Sequence, residues 1–435
     1  MKWLVLMLFF AALLADAYIY RSLIVRHFRR LPARATYLLF AIVTDGAALT
    51  ALMLYGAASD RGSAGVVTVM WLVWLFFLTL LPKLLYTLGG VADALTRLAT
   101  RRRSVIFRAL ASALGVVMMV VMVCGATTGR TKTRVTEVEI CSDRVPEAFD
   151  GYRIAQISDV HLGTMLNAER QTGRLVEKIN SLGADMVVNT GDLVNLTNDE
   201  LTPELTEILS RLAPPDGVWS VWGNHDLGFY IRNGAELTPE ENFRRLAEKV
   251  RGAGWRVLSD SSTWITRGGD SILLTGVDYP SSGRHNGHNS ALAGADLDAA
   301  FAEATSAKAA GHDPFNIVLA HTPLLWNDIT ERGGGDLTLS GHTHSMQTKL
   351  NLLGYKWSPA RQMYAHWSGR YEKPANEKNA KTSAEAEQQQ IEKKDQENDK
   401  KPVLYINDGI GCVGYPMRIG ARGEITLFTL KKRCE

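Results

Sequence analysis

The chain has 435 residues, enough for two or three domains, and 46% of them are hydrophobic. Its 48 Lys and Arg against 45 Asp and Glu leave a formal net charge of +3, too near neutral for a nucleic-acid-binding surface. The average covers two unlike halves. Residues 3–20, 36–56, 65–88 and 104–126 are apolar stretches close to the length that spans a bilayer. Trp3, Tyr20, Tyr37, Tyr55 and Tyr86 stand toward their ends, as an interfacial aromatic belt does. Buried helices of a soluble domain rarely run this long without a polar face, so residues 1–129 are predicted to form a domain of four transmembrane helices.

Orientation follows from cationic residues in the short loops. Arg21, Arg26, Arg29, Arg30 and Arg34 separate the first two spans, and Arg97, Arg101, Arg102 and Arg103 the last two; the middle loop offers only Arg61. The first and third loops are therefore expected in the cytoplasm. Everything after the fourth span is then on the extracytoplasmic side of the inner (cell) membrane, although Arg130, Lys132 and Arg134 pull weakly the other way. A competing reading takes Met1–Ala17 as a cleaved signal peptide with Ala15-Asp16-Ala17 as its site; it strands the Arg21–Arg34 loop on the wrong side. Asp45, inside the second span, is either a functional acid or the partner of a neighbouring helix or of Lys83. The cysteines lack C-x-x-C spacing, which excludes a zinc ribbon. Cys124 reads as a small apolar residue of the fourth span. Cys141 and Cys434 flank the first and last soluble strands and are the expected disulfide.

In the soluble half Arg134–Ile140 alternates like a strand, and the apolar run Tyr152–Ile157 reads as a buried one that delivers Asp159 and His161. Ala168–Leu182 has helical spacing behind Asn167 as N-cap. Asp185–Asn189 leads into Thr190-Gly191-Asp192. Thr202–Ala213 is a helix stopped by Pro214-Pro215, and Gly217–Trp222 leads into Gly223-Asn224-His225-Asp226. Pro239–Gly252 is a helix behind Thr238. Short strands are predicted at Trp255–Leu258, Thr263–Thr266 and Ile272–Val277, then an Ala-rich helix at Leu292–Ala309. Phe315–Ala320 leads into His321, and Asp336–Ser340 into Gly341-His342-Thr343-His344. Residues 369–401 are Lys, Glu, Gln, Asn and Ala with almost no large apolar side chain, so they read as a charged disordered insert. Strand pattern resumes at Val403–Ile406 and Glu424–Leu430. The alternation predicts an α/β layered fold, with residues 130–368 and 402–435 as two parts of one domain.

Five strand ends that each deliver Asp, Asn or His are hard to explain as packing. The crevice outside strand ends is also where open α/β sheets hold ligands. Oxygen and imidazole donors without thiolate suit divalent Mn, Fe or Zn and do not separate them. Two such ions about 3.5–4 Å apart share a carboxylate and a hydroxide, and Asp192 is the natural bridge. His225 is followed by Asp226, an acid able to orient its ring and raise its pKa, which would ready it to protonate a leaving oxygen. Asp278 reads as either a loop-orienting or a turn-capping acid. Arg284 has the chemistry to meet a phosphate oxygen, but with His285 and His288 it sits in a Gly/Ser/Asn-rich loop that reads as solvated. His312 precedes Asp313-Pro314 and belongs to a turn.

Asp159-x-His161, Gly191-Asp192, Gly223-Asn224-His225-Asp226, His321 and Gly341-His342-x-His344 resemble, in order and spacing, the metal motifs of calcineurin-like metallophosphoesterases. The resemblance spans residues 135–432 apart from the insert. It implies a two-layered β-sandwich flanked by helices, here behind the four-helix membrane bundle, with a dinuclear metal centre at the strand ends. One ion would take Asp159, His161, Asp192 and His344, the other Asp192, Asn224, His321 and His342, with His225 as the acid facing the leaving group. The run Tyr405–Gly411, with Pro416–Gly420 and Glu424–Leu427, resembles a membrane-associated bacterial branch that includes relatives acting on lipid-linked or nucleotide-sugar pyrophosphates. Two departures bear on substrate choice: Asp226 stands where the family usually has Glu, and Ser345-Met346-Gln347 where it has Gly-Gly-Gln. The implied activity is hydrolysis of a phosphodiester, phosphomonoester or pyrophosphate, a lipid-linked one included, by a metal-bridging hydroxide. The alternative is a non-catalytic scaffold or receptor that keeps the fold.

Overall fold

A computed structural model describes residues 2–55, 62–102, 104–231, 237–280, 294–332, 334–352, 355–373 and 401–433. The apolar stretches form helices Lys2–Ile19, Leu31–Tyr55, Gly62–Thr100 and Ile106–Cys124. The first runs on through a π-helical stretch, Tyr20–Ile24, and the fourth through another, Gly125–Gly129. Their span-length segments are Leu6–His27, Leu31–Leu54, Gly62–Thr100 and Ile106–Gly129. The third helix, at 39 residues, is about 58 Å long at 1.5 Å per residue, well beyond a ~30 Å hydrocarbon core. Its first turn therefore reaches the soluble domain, where the Ser63 hydroxyl donates to the Glu200 carboxylate. Inside the bundle the Lys83 ammonium lies 2.8 Å from Asp16 and 2.7 Å from Asp45. Asp45 is thus a partner of Lys83, the second of its two readings. Unpaired, either charge would be costly at that depth.

The soluble half holds β1 (Thr133–Cys141), β2 (Arg153–Ile157), β3 (Met186–Asn189), β4 (Val218–Ser220), β5 (Arg256–Val257), β6 (Ser261–Arg267) and β7 (Asp270–Val277). It continues with β8 (Asn316–Ala320), β9 (Leu337–Ser340), β10 (Leu350–Leu352), β11 (Tyr355–Trp357), β12 (Gly369–Glu372), β13 (Val403–Ile406) and β14 (Gly423–Lys431). Two six-stranded sheets form, in the orders β1-β14-β2-β3-β4-β5 and β12-β13-β9-β8-β7-β6. They pack face to face. Ile154, Met186 and Val188 of one meet Ile272, Leu274, Ile317, Leu319, Leu337 and Leu339 of the other in a single core. The alternate residues Ala155, Ile157 and Val187 face helices Ala168–Ser181, Pro203–Leu209 and Pro239–Gly252 through Leu175, Ile179, Leu205, Leu246 and Val250. Both faces of the inner strands are buried, which is why those runs read as continuous rather than alternating.

Several expectations change. Gly369–Glu372, read as the start of the insert, pairs antiparallel with β13; residues 374–400 lie outside the described residues. Tyr371 gives those four residues an apolar contact against Leu404 and Ile406, which a charged composition hid. Of the Ala-rich helix, Leu297–Ala300 and Ala302–Ala309 form two pieces broken at Phe301, whose ring is buried. Arg284, His285 and His288 lie outside the described residues. His312 does close a turn, its N–H donating to Ala307 O at 2.9 Å. Cys141 is disulfide-bonded while Cys124 and Cys412 are free; the expected partner, Cys434, lies outside the described residues.

Candidate metal centre

The polar clusters follow β2, β3, β4, β8 and β9, whose ends converge on one side of the sandwich. Their backbone is unusual. Asp159, His161, Asp192, His342 and His344 all have φ between 46° and 70°. A few per cent of non-glycine residues do so, and Asp and His are among the types that tolerate it. Five such residues in one crevice are a local strain of the kind that accumulates at functional sites. Glycines make the approach possible: a Cβ on Gly223 would strike the Asp192 carboxylate, and one on Gly341 the Asp159 carboxylate.

The side chains meet. His344 Nε2 lies 3.0 Å from Asp159 Oδ1 and 3.1 Å from His161 Nε2. Asp192 Oδ2 lies 3.2 Å from His321 Nε2 and 3.7 Å from His161 Nε2. His342 Nδ1 lies 3.2 Å from His321 Nε2. Three donor groups, Asp159–His161–His344, His161–Asp192–His225 and Asp192–His321–His342, each fall within 4.8 Å, and Asp192 belongs to two of them. Donors about 2.1 Å from a shared ion, at a right angle or wider, stand about 3 Å or more apart. The observed separations match. Asn224 Oδ1 is buried with no partner among the described residues, as expected of an oxygen kept for a cation.

Charge balance agrees. Burial pushes Asp192 upward, but the rings of His321 and His225 outweigh it and hold the carboxyl well below the usual range. His161 is pushed well below neutral by burial and by the His225 and His344 rings, and His342 down to about 3 by burial and His321. Neutral imidazole is the ligating form. His321 behaves oppositely: burial lowers it, yet Asp192 carries it up to about 9. Its Nδ1–H donates to Thr190 O at 2.7 Å, which leaves Nε2 facing the carboxylate.

One expected role is corrected. Asp226 does not orient His225. Its carboxylate accepts from the backbone N–H groups of Asp192 (2.7 Å), Leu193 (2.9 Å), Val194 (3.1 Å) and Gly223 (3.0 Å). His225 Nδ1–H donates instead to Asn195 O at 2.5 Å, and burial lowers its pKa rather than Asp226 raising it. His225 also stands among the possible ligands, edge-on to His161 at 4.7 Å.

Arg418, inside the Pro416–Gly420 run, is fully buried behind the site. Its guanidinium donates to Gly411 O (2.7 Å), Asp408 O (2.8 Å) and Ala421 O (3.0 Å) and reaches His344 Nδ1 at 3.2 Å. No sequence signal marks an arginine as internal. Arg418→Lys keeps the charge but loses the fork, and is expected to weaken divalent-ion affinity by about 10–100-fold, measured by competition titration. Tyr230, Tyr279 and Tyr364 wall the crevice, with ring centroids 4.2 Å from His225, 5.6 Å from His342 and 5.8 Å from His342 respectively. Asp278 sits beside them, bonded to Ser259 and with its N–H on Asp260. Burial, helped by Asp260, pushes its carboxyl up to about 6. Unfolded, that carboxyl titrates near ~3.9, so the folded state holds the extra proton and loses stability as pH rises through this window. Asp278→Asn is expected to gain about 1–2 kcal/mol at pH 7.5, reduced for partial exposure, and almost nothing at pH 4.5, read by thermal melts.

A two-layered sandwich with a shared carboxylate between histidine clusters defines a metallophosphoesterase domain. Residues 152–346 match the calcineurin-like phosphoesterases, and residues 1–130 match a transmembrane domain described as that of a probable calcineurin-like phosphoesterase. The chain therefore carries a calcineurin-like phosphoesterase domain behind a four-helix transmembrane domain. It is 27% identical over 79% of its length to a transmembrane protein with metallophosphoesterase domain from Danio rerio, covering 69% of that protein. A Bos taurus protein of the same name is 28% identical over 74% of the chain, which spans 63% of the relative's length. Among solved structures, NAD nucleotidase of Haemophilus influenzae is 15% identical over 60% of this chain and 46% of its own, with a TM-score of 0.38. An overlap that partial has no bearing on function.

Proposed function

We propose that the chain is a membrane-anchored, two-metal phosphoric ester hydrolase. Asp159, His161, Asp192 and His344 hold one divalent ion, and Asp192, Asn224, His321 and His342 the other. The observation that carries this is Asp192, whose carboxylate lies in two donor groups at once. Bound there, Mn, Fe or Zn supplies the charge that acidifies water and neutralises phosphoryl oxygens. The chain's residues do the rest. The five left-handed backbone positions fix the donors before any ion arrives, so little reorganisation remains. His225, its Nδ1–H tied to Asn195 O, presents Nε2 to the site, and in the doubly protonated ring that nitrogen would pass its proton to the leaving oxygen. Arg418, 3.2 Å from His344 Nδ1, would hold that ring with Nε2 turned toward Asp159 and the first ion. Monoesters, diesters and pyrophosphates all fit this chemistry, and the anchor favours a phosphate at the membrane surface. The arginine-rich loops and the bonded Cys141 support an extracytoplasmic catalytic domain. The full-length protein, purified with Mn²⁺, is expected to hydrolyse a chromogenic phosphomonoester or bis-ester. No turnover above an Asp192→Asn control across a panel of metals and substrates rejects the proposal.

A further inference from the structure

Among the described residues beyond 130, six large apolar side chains are exposed: Leu166, Tyr230, Leu324, Leu350, Tyr355 and Met363. Tyr230 belongs to the crevice. Four of the others trace back, within a few residues, to the end of the last membrane span. Gly125 lies inside the span-length segment Ile106–Gly129 and accepts from the Arg418 N–H at 3.1 Å. The next residue, Ile419, accepts from the Lys349 N–H at 2.8 Å. Lys349 opens directly into the β10–β11 hairpin. On the other flank, Arg130 donates to Thr164 O at 2.5 Å, and Leu166 stands two residues on.

The hairpin is amphipathic. Its register pairs Leu350 with Trp357, and Tyr355 lies two residues from Trp357 on the same face; Asn351 and Lys356 occupy the other. Arg361 donates to the Tyr355 hydroxyl at 2.6 Å with its guanidinium 5.9 Å from the ring centroid, pinning the turn Pro359–Gln362, and Met363 behind it, to the hairpin. Exposed Lys132, Lys356 and Arg361 accompany the apolar residues. Leu, Tyr, Trp and Met among cations is the composition of an interfacial element. Lys and Arg near a bilayer surface also favour anionic headgroups.

We propose that the β10–β11 hairpin, with Met363 and Leu166, is a second membrane attachment that seats the catalytic domain on the anionic headgroups of the leaflet its own spans cross. The occupant is that bilayer because the hairpin is continuous, through Lys349, Ile419 and Arg418, with the span already in it. The consequence is spatial. The hairpin begins six residues after His344, so seating it holds the crevice at headgroup depth.

The test uses the full chain in nanodiscs, in a Cys124→Ser background, with nitroxide labels at Tyr355→Cys or Met363→Cys. Lys308→Cys, on the helix packed at the β6 edge of the second sheet, is the aqueous reference. With phosphatidylglycerol present, the ratio of collisions with oxygen to collisions with a water-soluble nickel chelate is expected to be several-fold higher at 355 and 363 than at 308. The double variant Lys356→Glu, Arg361→Glu, labelled at 363, is expected to return to the reference value. Label 363 leaves the Tyr355–Arg361 contact intact, so a misfolded hairpin at 355 alone does not decide the result. Ratios at both sites equal to that at 308 overturn the proposal, and so does a high ratio indifferent to both charge reversal and phosphatidylglycerol. No substrate enters the measurement, so its failure leaves the hydrolase reading standing.

Discussion

The variant Asp192→Asn is expected to lose about 10²–10³-fold in turnover, or roughly 3–4 kcal/mol of transition-state stabilisation, and to retain fewer than about two ions per chain. Asn is the cleaner choice than Ala because position 192 has φ 55°, which Asn tolerates and Ala resists. It also keeps an oxygen for the His225 N–H, which Asp192 Oδ1 accepts at 2.9 Å. What it removes is the charge. The His321 and His225 rings hold the Asp192 pKa down against burial, and its charge faces His321 Nε2 at 3.2 Å. With a neutral amide both donor groups lose their shared anion, so the two ions should weaken together rather than one after the other. Elemental analysis beside steady-state hydrolysis reads this directly. Full occupancy by two ions with unchanged turnover would remove the shared carboxylate from the mechanism.

The strands and the side chains that converge at their ends were legible because each is written locally: an apolar run, a turn glycine, then Asp, Asn or His. β2, β3, β8 and β9 lie where their runs place them, and the six side chains in the three donor groups that motif reading singled out as ligands do converge. What stayed hidden depends on long-range contact. Arg418 lies 74 residues from His344 in sequence, and nothing about an isolated arginine reveals a buried fork. β12 was hidden by Lys and Glu neighbours, since a pairing with β13 needs only backbone. Asp226 shows the subtler failure. Adjacency in sequence to His225 suggested a partnership, whereas the turn geometry sends the carboxylate away from the ring and toward the amides of residues 192–194.

That geometry sets the second large effect. Asp226→Ala is expected to leave four buried backbone N–H groups without an acceptor. Each costs about 1–3 kcal/mol, more when the lost acceptor is charged, against a whole-domain stability of about 5–15 kcal/mol. The soluble half should then fail to fold, measured as loss of the cooperative melt. Asp226→Asn keeps one oxygen, enough for two of the four donors, and points an amide at the others. Its expected cost is about 2–4 kcal/mol, a melting temperature lower by several degrees with a folded domain at 25 °C. The same variant decides between the two roles. An acid acting through His225 would, when neutralised, shift the limb of the pH–rate profile set by that imidazole. A carboxylate that only fastens the turn leaves the limb in place, because Asn195 O still holds Nδ1–H. The expected result is a lower melting temperature with an unmoved pH limb; a shifted limb at unchanged stability would restore the catalytic pairing that the sequence suggested.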